Sequence, residues 1–107
     1  MSEFMSFALV MTTASSPQEA EKIAHALLQE QLAACVQTLP IQSYYTWEGR
    51  LNQEPEYLML IKGRAGNFDQ IQACIIANHS YKVPEIIQIP IPTGSPNYLE
   101  WMASVSK

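Results

Sequence analysis

The sequence predicts an α+β fold, a four-stranded antiparallel sheet with two helices on one face, and three observations carry that prediction. A capped stretch with helical spacing follows an apolar run at Phe4 to Met11. The hydrophobic period then switches from 3.6 to two between Ala33 and Trp47. A second helical stripe, Phe68, Ile71 and Ile75, precedes a second extended run from Val83 to Ile91.

Each element follows from local chemistry. Phe4 to Met11 is apolar with β-branched and aromatic residues, which suits a strand. Ser16 is placed to cap the first helix, Pro17 fits its first turn, and Glu19 stands where a capping box needs an acid. Ala20, Ile23, Ala24, Leu27 and Leu28 then form one buried stripe. In the next run Ala33, Cys35, Leu39, Ile41, Tyr45 and Trp47 share a face, and Pro40 argues for an edge position or a bend. Glu48-Gly49-Arg50 reads as a hairpin turn, with the return strand from about Leu51 to Lys62. Gly63 to Gly66 reads as a loop, and Asn67, with Gln70 at the box position, is the expected cap of the second helix. Pro84 favours extended backbone at Val83 and opens the last strand. Gly94-Ser95-Pro96 turns the chain into a short extension, Tyr98 to Ser104. The order β-α-β-β-α-β plus a tail is the ferredoxin-like, split-βαβ order. A chain of 107 residues has room for one such domain. Met1-Ser2-Glu3 is expected to lie outside it, as a disordered start or a cloning remnant.

Composition narrows the function classes. Net charge is −4 and the six basic residues are scattered, so no stripe exists to neutralise nucleic-acid phosphates. No apolar run approaches the ~18 residues of a membrane span, and the N-terminus lacks the pattern of a secretory signal. Cys35 and Cys74 suggest reduced thiols in a cytoplasmic protein rather than a disulfide framework. Only 15% of residues are charged while 48% are hydrophobic. Three predicted strands, at Phe7-Ala8-Leu9-Val10, Tyr57 to Ile61 and Ile86-Ile87-Gln88-Ile89, are apolar on both faces. Two helices cover one face, and a seven-residue tail is too short to cover the other, so the chain is expected to oligomerise.

Four segments give the chain a family likeness: Leu32-Ala33-Ala34-Cys35-Val36, Tyr44-Tyr45-Thr46-Trp47-Glu48-Gly49, His79-Ser80-Tyr81-Lys82-Val83-Pro84-Glu85 and Tyr98-Leu99-Glu100-Trp101. In order and spacing they resemble the signature segments of the CutA family of divalent-cation tolerance proteins. The resemblance implies a cytoplasmic homotrimer with inward-packed sheets and long hairpins reaching neighbouring subunits. It also implies a link to tolerance of copper and other divalent cations, in some relatives through direct metal binding. The architecture it implies is similar to that of PII-type signalling trimers. The family commonly has His-Pro-Tyr-Glu where this chain has His79-Ser80-Tyr81-Lys82, and some metal-binding relatives carry a Cys and paired His where Thr12 and Asn78-His79 stand.

His79 is therefore the candidate metal ligand, for a weakly bound copper or zinc ion whose other ligands come from a neighbouring chain; otherwise it is a helix cap or packing residue. Cys35 and Cys74 read as small buried hydrophobes, and His25 as a surface residue. Tyr45, Trp47, Glu56, Lys62, Tyr81 and Glu85 are candidates for an intersubunit ligand cleft; alternatively Trp47 and Tyr81 anchor an interface and Lys62 pairs with Glu56 or Glu85. Tyr98 and Trp101 read as docking residues of the tail. No G-x-S-x-G, H-E-x-x-H or C-x-x-C motif is present, so a non-enzymatic role is expected. Two functions compete: metal tolerance with weak copper binding, and a PII-like sensor of a small anionic ligand.

Overall fold

A computed structural model describes residues 6–107, so the expectations for Met1-Ser2-Glu3 and for a first strand beginning at Phe4 lie outside the described residues. The elements are β1 (Phe7–Ala14), α1 (Pro17–Gln29), β2 (Cys35–Trp47), β3 (Arg50–Arg64), α2 (Phe68–Ala77), β4 (Ile86–Ile91) and α3 (Pro96–Val105). The strands form one antiparallel sheet in the order β2-β3-β1-β4, the ferredoxin-like arrangement.

Register assigns every strand residue to a face. Val10 pairs with Ile61, Thr12 with Met59 and Val36 with Ile61, and these side chains point toward α1 and α2. They meet Ala20, Ile23 and Leu27 of α1 and Ile71 and Ile75 of α2 in a buried cluster. The alternate residues, Leu9, Met11, Leu39, Leu58, Leu60, Ile87 and Ile89, share the opposite face. α3 covers one end of that face, where Met102 packs with Phe7, Ala34, Leu99 and Ile91. The rest stays open: Leu39 is 42%, Ile87 48% and Ile89 42% exposed. Among the described residues no helix is long and apolar enough to cross a membrane.

Past Tyr57, β3 loses β1 as a neighbour and pairs only with β2, from Ile41↔Glu56 to Trp47↔Arg50. This two-stranded arm lengthens the molecule to 46 × 25 × 22 Å. Its tip turns at Glu48 and Gly49, with φ of 50° and 75°. That left-handed geometry suits glycine and matches the twist of the flanking strands.

Four local expectations are corrected. The last strand begins at Ile86 rather than Val83, because the chain bends at Lys82 and Val83 and joins the β1 ladder only from Ile86. Gly63 and Arg64 belong to β3, and a 3-10 turn, Ala65–Asn67, replaces the remainder of the predicted loop. Asn67 makes no side-chain cap; its Nδ2 donates to the Lys107 carbonyl at 2.6 Å and ties down the C-terminus. The tail docks chiefly through Leu99, Met102 and Ala103, while Tyr98 and Trp101 remain 40% and 44% exposed and Tyr98 meets Lys62 of β3.

Gly63 matters for close approach rather than for backbone freedom. A Cβ there would sit 2.6 Å from the Leu32 carbonyl oxygen, in the segment where Ala34 N–H bonds the Lys62 carbonyl at 2.7 Å. Backbone must move to admit a methyl group, so Gly63→Ala is expected to cost about 2 kcal/mol of stability. An unchanged urea midpoint would show that the α1–β2 connection gives way freely.

Candidate functional site

The arm and the α2–β4 connection face each other across a cleft of about 490 Å³, lined by Thr13, Ser43, Tyr44, Tyr45, Trp47, Glu54, Glu56, Tyr81, Lys82, Val83 and Glu85. Five of the six sequence-predicted cleft residues converge here: Tyr45, Trp47, Glu56, Tyr81 and Glu85. Lys62 does not. Its register partner on β2 is Cys35, at the α3 end of the sheet, and its Nζ lies 3.4 Å from Tyr98 Oη and 5.3 Å from the centre of that ring. The expected pairing of Lys62 with Glu56 or Glu85 is replaced by this contact.

Strand alternation puts Ser43, Tyr45 and Trp47 of β2 on the same face as Glu54 and Glu56 of β3. Tyr45 Oη donates to Glu54 Oε1 at 2.7 Å, and Tyr81 Oη donates to Glu56 Oε2 at 2.5 Å. Burial, the Glu56 bond and the nearby carboxylates push the Tyr81 phenol well above its ordinary range. Tyr45 moves the same way, chiefly through its bond to Glu54. Both phenols stay protonated donors across ordinary pH. Three carboxylates and one ammonium line the cleft, so its charge is negative, which suits a cation and disfavours an anion.

His79 positions Tyr81. Its ring lies just past the helix end at Ala77 rather than on the last turn, and its side chain is 0% exposed. Nε2 is 2.6 Å from the Thr13 carbonyl, and Nδ1 accepts the Tyr81 N–H at 3.0 Å. A carbonyl only accepts, so Nε2 carries the proton and Nδ1 presents the lone pair. Both nitrogens are then committed, and ligation of a metal by His79 requires breaking one of these bonds. Among the described residues no group of three or more His, Cys, Asp or Glu side chains is placed to hold a metal ion. Thr12 lies on the opposite face of the sheet from the cleft; its buried Oγ1 has no hydrogen-bond partner among the described residues. Cys35 and Cys74 are free and half-buried, and burial raises the Cys74 thiol.

Glu19 was legible in the sequence only as a capping residue, yet it also holds the far side of the loop. Ser16 Oγ accepts the Glu19 N–H at 3.1 Å, as a cap should. The carboxylate accepts the Ser15 N–H at 2.8 Å, one residue before the cap, and the Ser80 N–H at 2.6 Å. Burial opposes its charge, but the bonds from Ser15 and Ser80 win and hold it down to about 2. Because the folded value lies below the unfolded one, the resulting stability is present above about pH 4.5 and is lost as pH falls toward 2. After allowance for solvent screening, about 1–2 kcal/mol is expected. Urea midpoints of wild type and Glu19→Gln should differ at pH 7 and converge near pH 2; parallel curves would refute the assignment.

The fold has known counterparts. The model of the family described as CutA1 divalent ion tolerance protein matches residues 8–105. The chain belongs to the CutA family. The divalent-cation tolerance protein CutA of Archaeoglobus fulgidus is 41% identical over 93 residues, covering 87% of this chain and 91% of that one. The chloroplastic CutA of Arabidopsis thaliana is 39% identical over 100 residues, 92% of this chain but 55% of the relative, so the chain spans about half that protein's length. The crystal structure of CutA1 from Oryza sativa superposes with a TM-score of 0.94 at 36% identity, covering 99% of this chain and 98% of that one. One relative is named chloroplastic, and a solved CutA from A. fulgidus is described as periplasmic, so CutA membership does not by itself assign a compartment.

Proposed function

We propose that this CutA protein serves divalent-cation tolerance as a cytoplasmic homotrimer that binds cations weakly in its hairpin cleft, with copper or zinc as cargo rather than as a resident cofactor. One observation carries the binding reading: the cleft gathers Glu54, Glu56 and Glu85 against the single ammonium of Lys82. Carboxylate oxygens from one chain are too few to chelate tightly, and copper leads the divalent series for such donors. The open apolar face, with Ile87 and Ile89 nearly half exposed, supports the trimer, since burying it requires other copies of the sheet. Free Cys35 and Cys74 fit a reducing compartment. The competing reading, a PII-like sensor of a small anion, fits the acidic lining poorly.

Calorimetric titration of the reduced protein with Cu(II) and Zn(II) tests the binding role. Weak binding that falls in Glu56→Gln is expected. Tight binding unaffected by that change would move the site to Cys35 or Cys74, and no heat with either metal would remove the binding role.

A further inference from the structure

The shape and chemistry of the cleft go further than its charge. Glu56 is only 8% exposed, and while Tyr81 occupies its Oε2, its Oε1 accepts no hydrogen bond among the described residues. That oxygen opens onto the cleft, where it is free to accept from a bound donor. Glu54 is two residues along the same strand face, which places it about 6.8 Å away, and its Oε2 is likewise without a partner among the described residues. Between and around the two acids stand the rings of Tyr45, Trp47 and Tyr81. Tight binding of a bare metal ion needs several convergent donors to repay a costly hydration shell, and this lining, without such convergence, suits only weak metal binding. An alkylammonium needs one acceptor per N–H, gains from an aromatic face, and buries methylenes against rings.

On these grounds, and resting on the reading of the cleft as a cation site, we propose that it recognises a linear aliphatic diamine, one ammonium on Glu56 and the other on Glu54. Three carboxylates against one lysine leave two negative charges uncompensated, which matches a dication and exceeds what a monoamine supplies. The two-residue strand spacing is comparable to an extended four-carbon chain. The volume of about 490 Å³ falls within the range of small-molecule clefts. Binding is a charge and shape match, with no covalent step.

The test is calorimetric titration of the intact protein in its native assembly with putrescine at physiological salt, which suppresses binding by long-range charge alone. Saturable binding at one per chain is expected, weakened at least about tenfold by Glu56→Gln and by replacing putrescine with butylamine. Trp47→Leu, which leaves both acids in place, should weaken it as well. No putrescine binding, or binding indifferent to both substitutions, overturns the proposal. Parallel Cu(II) titration separates the two readings. Metal binding that depends on Glu56 in a protein that ignores putrescine refutes the diamine and leaves the cation site standing. Silence toward both refutes both.

Discussion

Leu60→Lys is expected to convert the protein from an assembly of three times its 12.0 kDa chain mass into folded single chains. Leu60 sits in β3 with Met11 of β1 on one side and Gln37 of β2 on the other, in the middle of the open sheet face. An ammonium there meets no carboxylate in the apolar patch of Leu9, Met11, Leu58 and Ile87. In the single chain that face is open, and the flexible lysine stem reaches water at little cost. In the proposed trimer three such charges would be buried without partners, at several kcal/mol each. Light scattering checks the mass and far-UV circular dichroism checks the fold. A variant that keeps the wild-type mass would place the interface elsewhere. A wild type that scatters as one chain would leave the apolar face without an occupant.

His79→Ala carries the second largest expected effect, a loss of about 3 kcal/mol or more in subunit stability. The imidazole is wholly buried, and its Nε2 ties the α2–β4 connection to the Thr13 carbonyl. Its removal leaves that carbonyl and the Tyr81 N–H without their partners and opens a cavity behind the cleft wall. Tyr81 is then free to leave Glu56. His79→Gln keeps an N–H near the Thr13 carbonyl while losing the acceptor for Tyr81, so it should recover part of the loss. Urea denaturation of the three proteins decides the matter. A cost below about 1 kcal/mol for the alanine variant would show that the ring clamps nothing. Little destabilisation together with abolished copper binding would make His79 a ligand after all.

Local chemistry made much of the fold legible. The Ser16-Pro17-Glu19 start and the Ile23–Leu27 stripe specify α1 without help from the rest of the chain. Alternation from Cys35 to Trp47 and the Glu48-Gly49 turn specify the long hairpin, since side-chain period and turn geometry are properties of neighbouring residues. Doubly apolar β1, β3 and β4 announced a second face needing cover. Tyr45, Trp47, Tyr81 and Glu85 were likewise readable as aromatics and an acid in the segments that resemble the CutA family, and Glu56 as an acid on the return strand near them.

The rest depended on contacts between residues distant in sequence. Lys62 and Glu56 are six residues apart on one strand face, yet α3 draws Lys62 to Tyr98 while the α2–β4 loop brings Tyr81 to Glu56. Asn67 resembles a helix cap by type, but the C-terminus arriving beside it offers the Lys107 carbonyl instead. Glu19 and Ser80 are 61 residues apart, and no spacing rule pairs a helix cap with a loop that far away. His79 shows the difference most clearly. Its residue type permits ligand, cap or packing roles, and only the chain geometry that brings the Thr13 carbonyl and the Tyr81 N–H to its two nitrogens decides how it is used. Sequence determined the elements because propensity, period and turn chemistry act over a few residues. Tertiary structure decided the partners because hydrogen bonds and burial are chosen by proximity in space.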